Sequence, residues 1–410
     1  MQAPELPPTG QYLQCIRESA GNICQHSGIS IEDKNIECLL LSEAFKSSFN
    51  KLSALTGVAL PLKFASPLDE LNLLSILALL NFGSSFDVAL RAQTGHGASN
   101  AIRALVFSMY ITSNSSDGDF LSSKGIQSLS TAKVAELIGV NVHVEKPHST
   151  IPGVTIGELG GPVYQYVQLV TKVLNETGRI LLDSGYPNLG FLVAEALKEG
   201  ERARSDGNQY AAVDLVIERL VRAIPAFRDM TLVDGEPLYI FSKVIFLLDV
   251  ISHRFGSISP PPFPIPDVTN LPVSADGINS ALLVHLGVVN ISQAAVLKTG
   301  WPVASDNAVQ ALLAQPGDKE TETSLFQEPT ATRQQAFCLR AATVIACDRF
   351  PDIAKNVHGE SLPAVTVRRI NAWFQGIVKE RPDYRSLGVF IGGHQSERSS
   401  CAGPLDRSRN

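Results

Sequence analysis

The helical spacing of apolar residues is the feature that most constrains how this chain folds. Between Tyr210 and Ala223 the apolar side chains recur at positions i, i+3, i+4, i+7 and i+8, which places them on one face of a helix. These positions are Val213, Val216, Ile217, Leu220 and Val221. The alternation of apolar and polar residues that marks half-buried strands is scarce in the sequence. The sequence therefore predicts a mainly α fold.

The same spacing predicts further helices along the chain. They cover Tyr12 to Cys24, Ile36 to Phe49, the Leu-rich stretch after Pro67, Ala98 to Tyr110, Ala132 to Ile138 and Val163 to Asp183. Ser66 and Ser130 are expected to cap two of them, because a serine hydroxyl accepts a hydrogen bond from a free amide of the first turn. The best strand candidate is Met230 to Val233, which turns at Asp234-Gly235 toward Leu238.

Composition narrows the possible partners. The chain has 410 residues and is 44% hydrophobic, which is enough to bury a sizeable core. Its formal net charge of -6 argues against a general polyanion binder, which needs a basic face to displace counterions. A local basic pocket for one phosphate is still compatible with this charge. We therefore expect no nucleic-acid partner.

The helices on the two sides of a Pro-rich stretch are interpreted as one domain, residues 11–391, because neither half closes a core alone. The Pro-rich stretch, residues 257–267, and a polar stretch, residues 316–324, are predicted loops. Residues 1–10 and the tail, residues 392–410, have no periodic face and are expected to be disordered.

Cysteine usage and apolar runs point to a cytoplasmic protein. None of the six cysteines forms a C-x-x-C pair, and no spacing suits a zinc site, so no metal or cofactor is expected. The N-terminus lacks the apolar core of a signal sequence. The longest apolar run, Leu71 to Phe82, has about 12 residues and is too short to cross a bilayer.

Polar residues interrupt an apolar helix face near its middle, at Asn175 and Glu176, and Gly178 follows them. One interpretation is a close helix crossing at Gly178, with Glu176 in a structural network. The other is a polar group that faces a pocket. Asp229 leaves a similar choice open, because it lies between Phe227 and a turn and is either a cap or a carboxylate held in an apolar pocket.

A helical hairpin is predicted over residues 282–297. A helix leads into a tight turn at Leu286-Gly287-Val288, and Asn290 or Ser292 is expected to cap a second helix. Asp276 precedes the first helix and is a candidate for its cap. The pattern resembles the helix-hairpin-helix element of DNA glycosylases, and this resemblance also implies a catalytic aspartate at the position of Asp276.

Five blocks of residues, taken in order along the chain, resemble one known family. They are Leu80-Asn81-Phe82; Leu174-Asn175-Glu176-Thr177-Gly178; Phe227-Arg228-Asp229 with Gly235; Ala275-Asp276 with His285-Leu286-Gly287; and Leu339-Arg340-Ala341-Ala342. Their order and spacing, over most of residues 12–390, resemble the queuosine salvage family, the queuosine 5′-phosphate N-glycosylases. The resemblance implies a single large helical domain similar to helix-hairpin-helix DNA glycosylases, with at most a small β element.

The resemblance implies a hydrolase that cuts the bond between the queuine base and ribose 5-phosphate, which frees queuine for tRNA modification. Such a bond breaks through an oxocarbenium-like transition state, which a carboxylate stabilises while it orients or deprotonates the attacking water. Asp276 is the first candidate for this catalytic role, and Asp229 is the second.

Six further residues are expected to bind the nucleotide: Asn81, Phe82, Glu176, Phe227, Arg228 and Lys243. If the family geometry is kept, Lys243 is the nearest cation for the phosphate, and Arg228 is the alternative. Aromatic side chains would stack on the base. The expected partner is thus a small-molecule nucleotide, with no membrane partner.

The sequence departs from the family pattern where a base would be recognised. Gly83-Ser84-Ser85 stands in place of an aromatic pair, and Gly277-Ile278 stands in place of Tyr-Arg. Lys243 is offset by one position, about 100° around a helix, and Cys338 replaces an acid. A second hypothesis is therefore a non-catalytic paralogue that binds a nucleotide or a partner protein through the cleft in which the family binds its substrate. A nucleic-acid-binding helix-hairpin-helix protein does not fit the acidic net charge.

Overall fold

A computed structural model of the chain gives the architecture. It describes residues 4–54, 60, 62–113, 118–148, 150–151, 153–205, 209–294, 297, 330–357, 362–380 and 390–391. The predicted polar loop at 316–324 and the tail at 392–410 lie outside the described residues.

Helices account for most of the described chain, so the prediction of a mainly α fold is confirmed. They are α1 (Tyr12–Ser27), α2 (Asp33–Leu41), α3 (Glu43–Ala54), α4 (Pro67–Leu79), α5 (Asp87–Thr94), α6 (Ala98–Thr112), α7 (Ser123–Ser128), α8 (Thr131–Ile138), α9 (Gly161–Asp183), α10 (Leu189–Ser205), α11 (Gln209–Ala223), α12 (Ser242–Phe255), α13 (Gly277–His285), α14 (Arg333–Asn356) and α15 (Val367–Glu380).

Strands in the described part are short and form two-stranded pairs. The antiparallel pairs are β1 (Ser30–Ile31) with β6 (Val289–Asn290), β2 (His143–Pro147) with β3 (Thr155–Leu159), and β4 (Met230–Val233) with β5 (Glu236–Tyr239). The pair β7 (Thr330–Ala331) and β8 (Phe390–Ile391) is parallel. The predicted strand at 230–233 is confirmed, and it turns through Asp234 and Gly235, both at positive φ.

Local sequence signals place several helix ends correctly. The Ser66 hydroxyl accepts a hydrogen bond from the Asp69 amide at 3.2 Å, and Pro67 occupies the first turn of α4. The Ser130 hydroxyl accepts one from the Lys133 amide at 3.1 Å, as predicted. Each hydroxyl satisfies one amide that has no carbonyl partner inside its helix.

Two predicted helices differ in the structure. The single helix expected at 36–49 is two helices, α2 and α3, separated at Ser42, whose backbone is extended. The Ser42 hydroxyl donates to the Leu39 carbonyl at 2.6 Å and accepts from the Phe45 amide at 3.2 Å, so it satisfies both helix ends. The turn at Gly287 is confirmed by its φ of 69°, but Asn290 lies in β6 rather than at a helix cap.

One hydrophobic core runs through the described chain on both sides of the Pro-rich stretch. It includes Ile16 and Leu39 from the first helices and Leu339 and Trp373 from the last two. Helix α1 packs against α14, which joins the start of the chain to its end. The helices on either side of residues 257–267 therefore share one core.

The Pro-rich stretch contains neither helix nor strand, as predicted, and Phe263 anchors it by packing edge-on against Phe255 at 4.7 Å. The start of the chain differs from the disorder expected there. The Thr9 hydroxyl donates to Glu218 at 2.8 Å, and the Tyr239 hydroxyl donates to the Glu5 carbonyl at 2.8 Å. These bonds join residues more than 200 positions apart, which no local pattern reports.

Within the described chain, no single helix is long and apolar enough to cross a membrane. The segments Pro67–Leu79 and Ser84–Thr94 are long and apolar enough only when they are taken together, and the chain bends by 65° between them.

Candidate functional site

The turn between α11 and β4 positions Asp229. Its main-chain carbonyl accepts hydrogen bonds from the amides of Ile240 at 3.0 Å and Phe241 at 3.2 Å, so the β4–β5 hairpin returns the chain to this residue. Phe241 is fully buried and has a φ of 48°, a left-handed conformation that costs a non-glycine residue about 1–3 kcal/mol. This bend places the Ser242 amide 3.3 Å from a carboxylate oxygen of Asp229.

Arg340, on α14, holds the Asp229 carboxylate with both ends of its guanidinium. Nη1 donates to Oδ1 at 3.0 Å, and Nη2 donates to Oδ2 in a short contact. Nη2 also donates to the Ser242 hydroxyl at 2.8 Å, and Nε donates to the Ala275 carbonyl at 3.1 Å. The two side chains are only 20% and 15% exposed, so this is a largely buried bidentate pair.

Opposite charges decide the ionisation of Asp229. Burial by itself would raise the pKa of this carboxyl group. The Arg340 guanidinium, together with Lys243 and a hydrogen bond from Ser242, outweighs burial and lowers the pKa below its usual value. Asp229 is therefore a carboxylate at neutral pH.

Asp276 caps α13, as one of its two sequence interpretations predicts. Its Oδ1 accepts a hydrogen bond from the Asn279 amide at 2.7 Å, and its Oδ2 accepts one from Gln375 Nε2 of α15 at 2.8 Å. Burial raises the pKa of this carboxyl group, and the Asn279 amide, Gln375 and Arg340 offset only part of the rise. A carboxylate whose pKa is raised is a stronger base than an exposed one.

Lys243, in the first turn of α12, lies beside this pair. Its Nζ donates to the Ala226 carbonyl at 2.8 Å and lies 4.6 Å from the centre of the Phe82 ring. Burial lowers the pKa of the amine to about 8, although the Asp229 charge acts in the opposite direction. Lys243 is offset by one position from the family pattern. Its amine nevertheless lies among these polar groups and over the Phe82 ring.

These contacts define the polar cluster: Phe82, Asp229, Ser242, Lys243, Asp276, Arg340 and Gln375. Four of the predicted site residues are among them, namely Phe82, Asp229, Lys243 and Asp276. Arg340 bonds the Asp229 carboxylate and the carbonyl of Ala275, the residue before Asp276, so one guanidinium connects the segments that carry the two candidate carboxylates.

Three other predicted site residues do not belong to the polar cluster. Arg228 is exposed, and its guanidinium donates to the carbonyls of Val221 at 3.0 Å and Arg222 at 3.1 Å near the end of α11. Phe227 is fully buried in the core and offers no surface to a ligand. Asn81 is exposed just after α4, and its main-chain amide donates to the Ala78 carbonyl.

Glu176 lies on an outward face of α9. Its side chain is 56% exposed and forms an ion pair with Lys172 at 3.8 Å. The close helix crossing predicted at Gly178 is confirmed, because a Cβ there would lie 2.6 Å from backbone atoms of Ser123 and Gln127 in α7. The structure therefore agrees with the structural interpretation of this segment.

Sequence reasoning missed the roles of Arg340, Ser242 and Gln375. Arg340 could have been found, because it is the single charged residue in a run of mostly buried small and apolar residues from Cys338 to Cys347. A charge in such a run is rarely buried without a partner. Ser242 and Gln375 carry no comparable signal.

A groove of about 480 Å³ lies elsewhere, between α1, α2 and the second half of α14. Its lining residues are Arg17, Asp33, Ile345, Asp348, Arg349, Asp352, Ile353 and Asn356. None of the predicted site residues lines it, so the groove and the polar cluster are separate features. We place the candidate site at the polar cluster because paired carboxylates and a buried amine are groups that can act on a glycosidic bond.

No protein-family model matches this chain, and no curated protein matches it.

Proposed function

We propose that this chain is a divergent relative of the queuosine salvage family that hydrolyses the N-glycosidic bond of a nucleoside 5′-monophosphate, queuosine 5′-phosphate or a related nucleotide. One observation carries the proposal. Arg340 pairs with Asp229 and bonds the carbonyl of Ala275, which precedes Asp276, and Lys243 lies beside the Asp229 charge with its amine over the Phe82 ring.

Asp276 is assigned the sugar-facing role. Glycosidic cleavage develops positive charge on the sugar ring, which a nearby carboxylate stabilises. The raised pKa of Asp276 also suits it to accept a proton from the attacking water. Its Oδ1 caps α13, and this fixes the direction of the carboxylate before any ligand arrives.

Lys243 is assigned to the 5′-phosphate. With a pKa of about 8, its amine is mostly protonated at neutral pH and can bind an anion. The amine lies over the Phe82 ring and is largely buried, and a charge in such surroundings attracts a phosphate more strongly than one in water. Arg228 is the weaker candidate for this role, because its guanidinium is engaged with α11 carbonyls.

A non-catalytic relative that binds a nucleotide is the second candidate, and a specific observation favours it. Both Asp229 oxygens accept from Arg340, and the two Asp276 oxygens accept from Asn279 and Gln375. Groups that are already satisfied by the protein gain less from a ligand, because the ligand must replace bonds of similar strength. On this reading the cluster is a structural remnant of an older active site.

The two candidates separate in a base-release assay. Purified protein would be incubated with a panel of nucleoside 5′-monophosphates that includes queuosine 5′-phosphate, and free base would be measured by chromatography. The hydrolase proposal expects release from at least one of them, and a loss of about a hundredfold or more in Asp276→Asn, the size typical of an electrostatic or acid–base group.

Glu176→Gln is the matched control, because it also neutralises one carboxylate but on an exposed helix face. It should leave base release unchanged. If wild-type protein releases no base from any nucleotide while it binds one measurably, the non-catalytic candidate replaces the hydrolase. Full activity in Asp276→Asn would move the catalytic role to Asp229.

A further inference from the structure

We propose that Arg340 is a positioning residue that sets the place and the charge state of both carboxylates in the polar cluster. The inference rests on the proposed function in so far as it concerns catalysis. It also makes a claim about the free protein that can be tested without any substrate.

The first support is the number of groups that one guanidinium joins. Arg340 donates to both Asp229 oxygens, to the Ser242 hydroxyl and to the Ala275 carbonyl. These partners come from three separate parts of the chain: the turn before β4, the start of α12 and the segment before α13. The planar fork of an arginine can satisfy such a set, whereas a lysine presents a single point charge.

The second support is the path of residues 271–276, which form neither helix nor strand. Side-chain bonds hold this segment against α12. The Ser242 hydroxyl donates to the Ala275 carbonyl at 3.2 Å, and the Ser274 hydroxyl donates to the Ser242 carbonyl at 3.2 Å. Ala275 immediately precedes Asp276. The bond from Arg340 to the Ala275 carbonyl therefore fixes the position of the main chain from which the Asp276 side chain extends.

The third support is electrostatic. The titratable groups that act on Asp229 are Arg340 and Lys243, and Asp276 interacts with Arg340 and with the buried Cys347 thiol of the same helix. Arg340 is thus the charge that the two carboxylates share. Without it, burial of both carboxyl groups remains and their pKa values rise.

The test uses full-length protein with Arg340→Lys and Arg340→Gln. Carboxyl carbons would be followed by NMR across a pH titration, and the Asp276 signal would be assigned from its absence in Asp276→Asn. Arg340→Gln should raise the pKa of Asp276, while Arg340→Lys, which keeps the charge, should change it less. Arg254→Lys is the matched control, because Arg254 forms a two-point pair with Glu70 outside the cluster.

Turnover gives the second measurement. Loss of the fork in Arg340→Lys should lower kcat by about a hundredfold, the effect of a misplaced reacting group, with a smaller change in KM. The acid limb of the pH–rate profile should move to higher pH in Arg340→Gln and stay close to its wild-type position in Arg340→Lys. The Arg254→Lys control should change neither.

An unchanged pKa of Asp276 in Arg340→Gln would overturn the inference, whatever the activity. If the wild-type protein releases no base, the proposed function fails, but the titration still decides the role of Arg340. If neither Arg340 variant folds, the double variant Arg340→Met with Asp229→Leu takes their place in the titration, because it removes the guanidinium and its bond to the Ala275 carbonyl without leaving Asp229 unpaired. An unchanged carbon shift and pKa of Asp276 in this double variant would then overturn the inference.

Discussion

Helix α14 carries arginines that pair with aspartates in two regions, and the two surroundings differ. Arg340 and Asp229 are 20% and 15% exposed, and Arg340 bonds four acceptor atoms from three parts of the chain. Arg349 and Asp33, which line the groove, are 42% and 60% exposed, and Arg349 bonds Asp33 at 2.7 Å and the Ile31 carbonyl at 3.4 Å.

The difference shows that an ion pair by itself says little about function or stability. In the groove, water can replace either partner when the other is removed, so the pair contributes little. In the polar cluster, removing one partner strands a charge away from water, which costs several times more. A buried pair is also the arrangement that can shift the pKa of a neighbouring catalytic group.

The largest expected effect comes from breaking the buried pair. Arg340→Met should lower the free energy of unfolding by about 3–5 kcal/mol, because Asp229 is left buried and unpaired. Urea denaturation of wild type and variant measures the change. Adding Asp229→Leu should restore much of the loss, since two apolar groups leave no stranded charge. Equal losses in the single and double variants would mean that the pair itself is not the cause.

The second expected effect is on the pH dependence of the free energy of unfolding, and it distinguishes the polar cluster from the groove. Burial lowers the pKa of Lys243 to about 8, whereas a lysine in the unfolded chain titrates near ~10.4. Between these values the lysine binds its proton more tightly in the unfolded chain, so this group contributes a rise of stability with pH, whereas buried thiols such as Cys24 and Cys347, whose pKa values are raised, contribute a fall. The stability of wild type relative to Lys243→Met should therefore rise across this window. The measurement is urea denaturation at several pH values from about 7 to 11, the window set by the two pKa values.

Lys355→Met is the control for this pH effect. Lys355 is 72% exposed and pairs with Asp352 at the surface. The stability of wild type relative to Lys355→Met should not show this rise. An equal rise relative to both variants would show that the burial of Lys243 is not its cause.

Much of the fold was readable from local signals, and the site was only partly so. The caps at Ser66 and Ser130 and the strand at 230–233 depend on neighbouring residues in the sequence. The close crossing at Gly178 involves α7, about 50 positions away, and only the glycine that permits it is a local signal. The pairing of Arg340 with Asp229 joins residues 111 positions apart, and no local pattern encodes it.

The predicted site residues divide in the same physical way. Sequence singled out Asp229 and Asp276, which the structure buries, and also Glu176, which the structure exposes. The sequence could not tell these environments apart. Exposure depends on which helices pack together, and that is decided by the whole core. The break at Ser42 was missed for a related reason, since Ser is tolerated within helices and ends one only when its hydroxyl serves both ends.

A smaller effect is expected for Asp276→Asn on stability. Burial raises the pKa of the Asp276 carboxyl group, so the folded protein holds its proton to higher pH than the unfolded chain does. Between the ordinary pKa and the raised one, the folded chain keeps a proton that the unfolded chain has lost. This group therefore contributes less stability as pH rises from the first value to the second. Asparagine caps about as well as aspartate and does not ionise, so the variant should gain stability relative to wild type as pH increases.

Thermal denaturation from about pH 4 to 7, a range that begins near the ordinary aspartate pKa, measures this difference. Asp69→Asn offers a comparison at another helix start, because Asp69 lies partly exposed in the first turn of α4. The interpretation of Asp276 as a buried cap would be wrong if its variant and the Asp69 variant showed the same dependence on pH.

The smallest expected effect belongs to the groove and completes the comparison. Arg349→Met should change the free energy of unfolding by no more than about 1 kcal/mol, because both side chains of the pair are substantially exposed and water can solvate Asp33 once it is alone. Raising the salt concentration should reduce even this change, since mobile ions screen exposed charges, whereas the loss in Arg340→Met should persist in salt. Urea denaturation at low and high salt compares the two variants directly. A loss in Arg349→Met as large and as salt-resistant as that in Arg340→Met would show that the exposed pair also holds the fold, and burial would no longer account for the difference between the two regions.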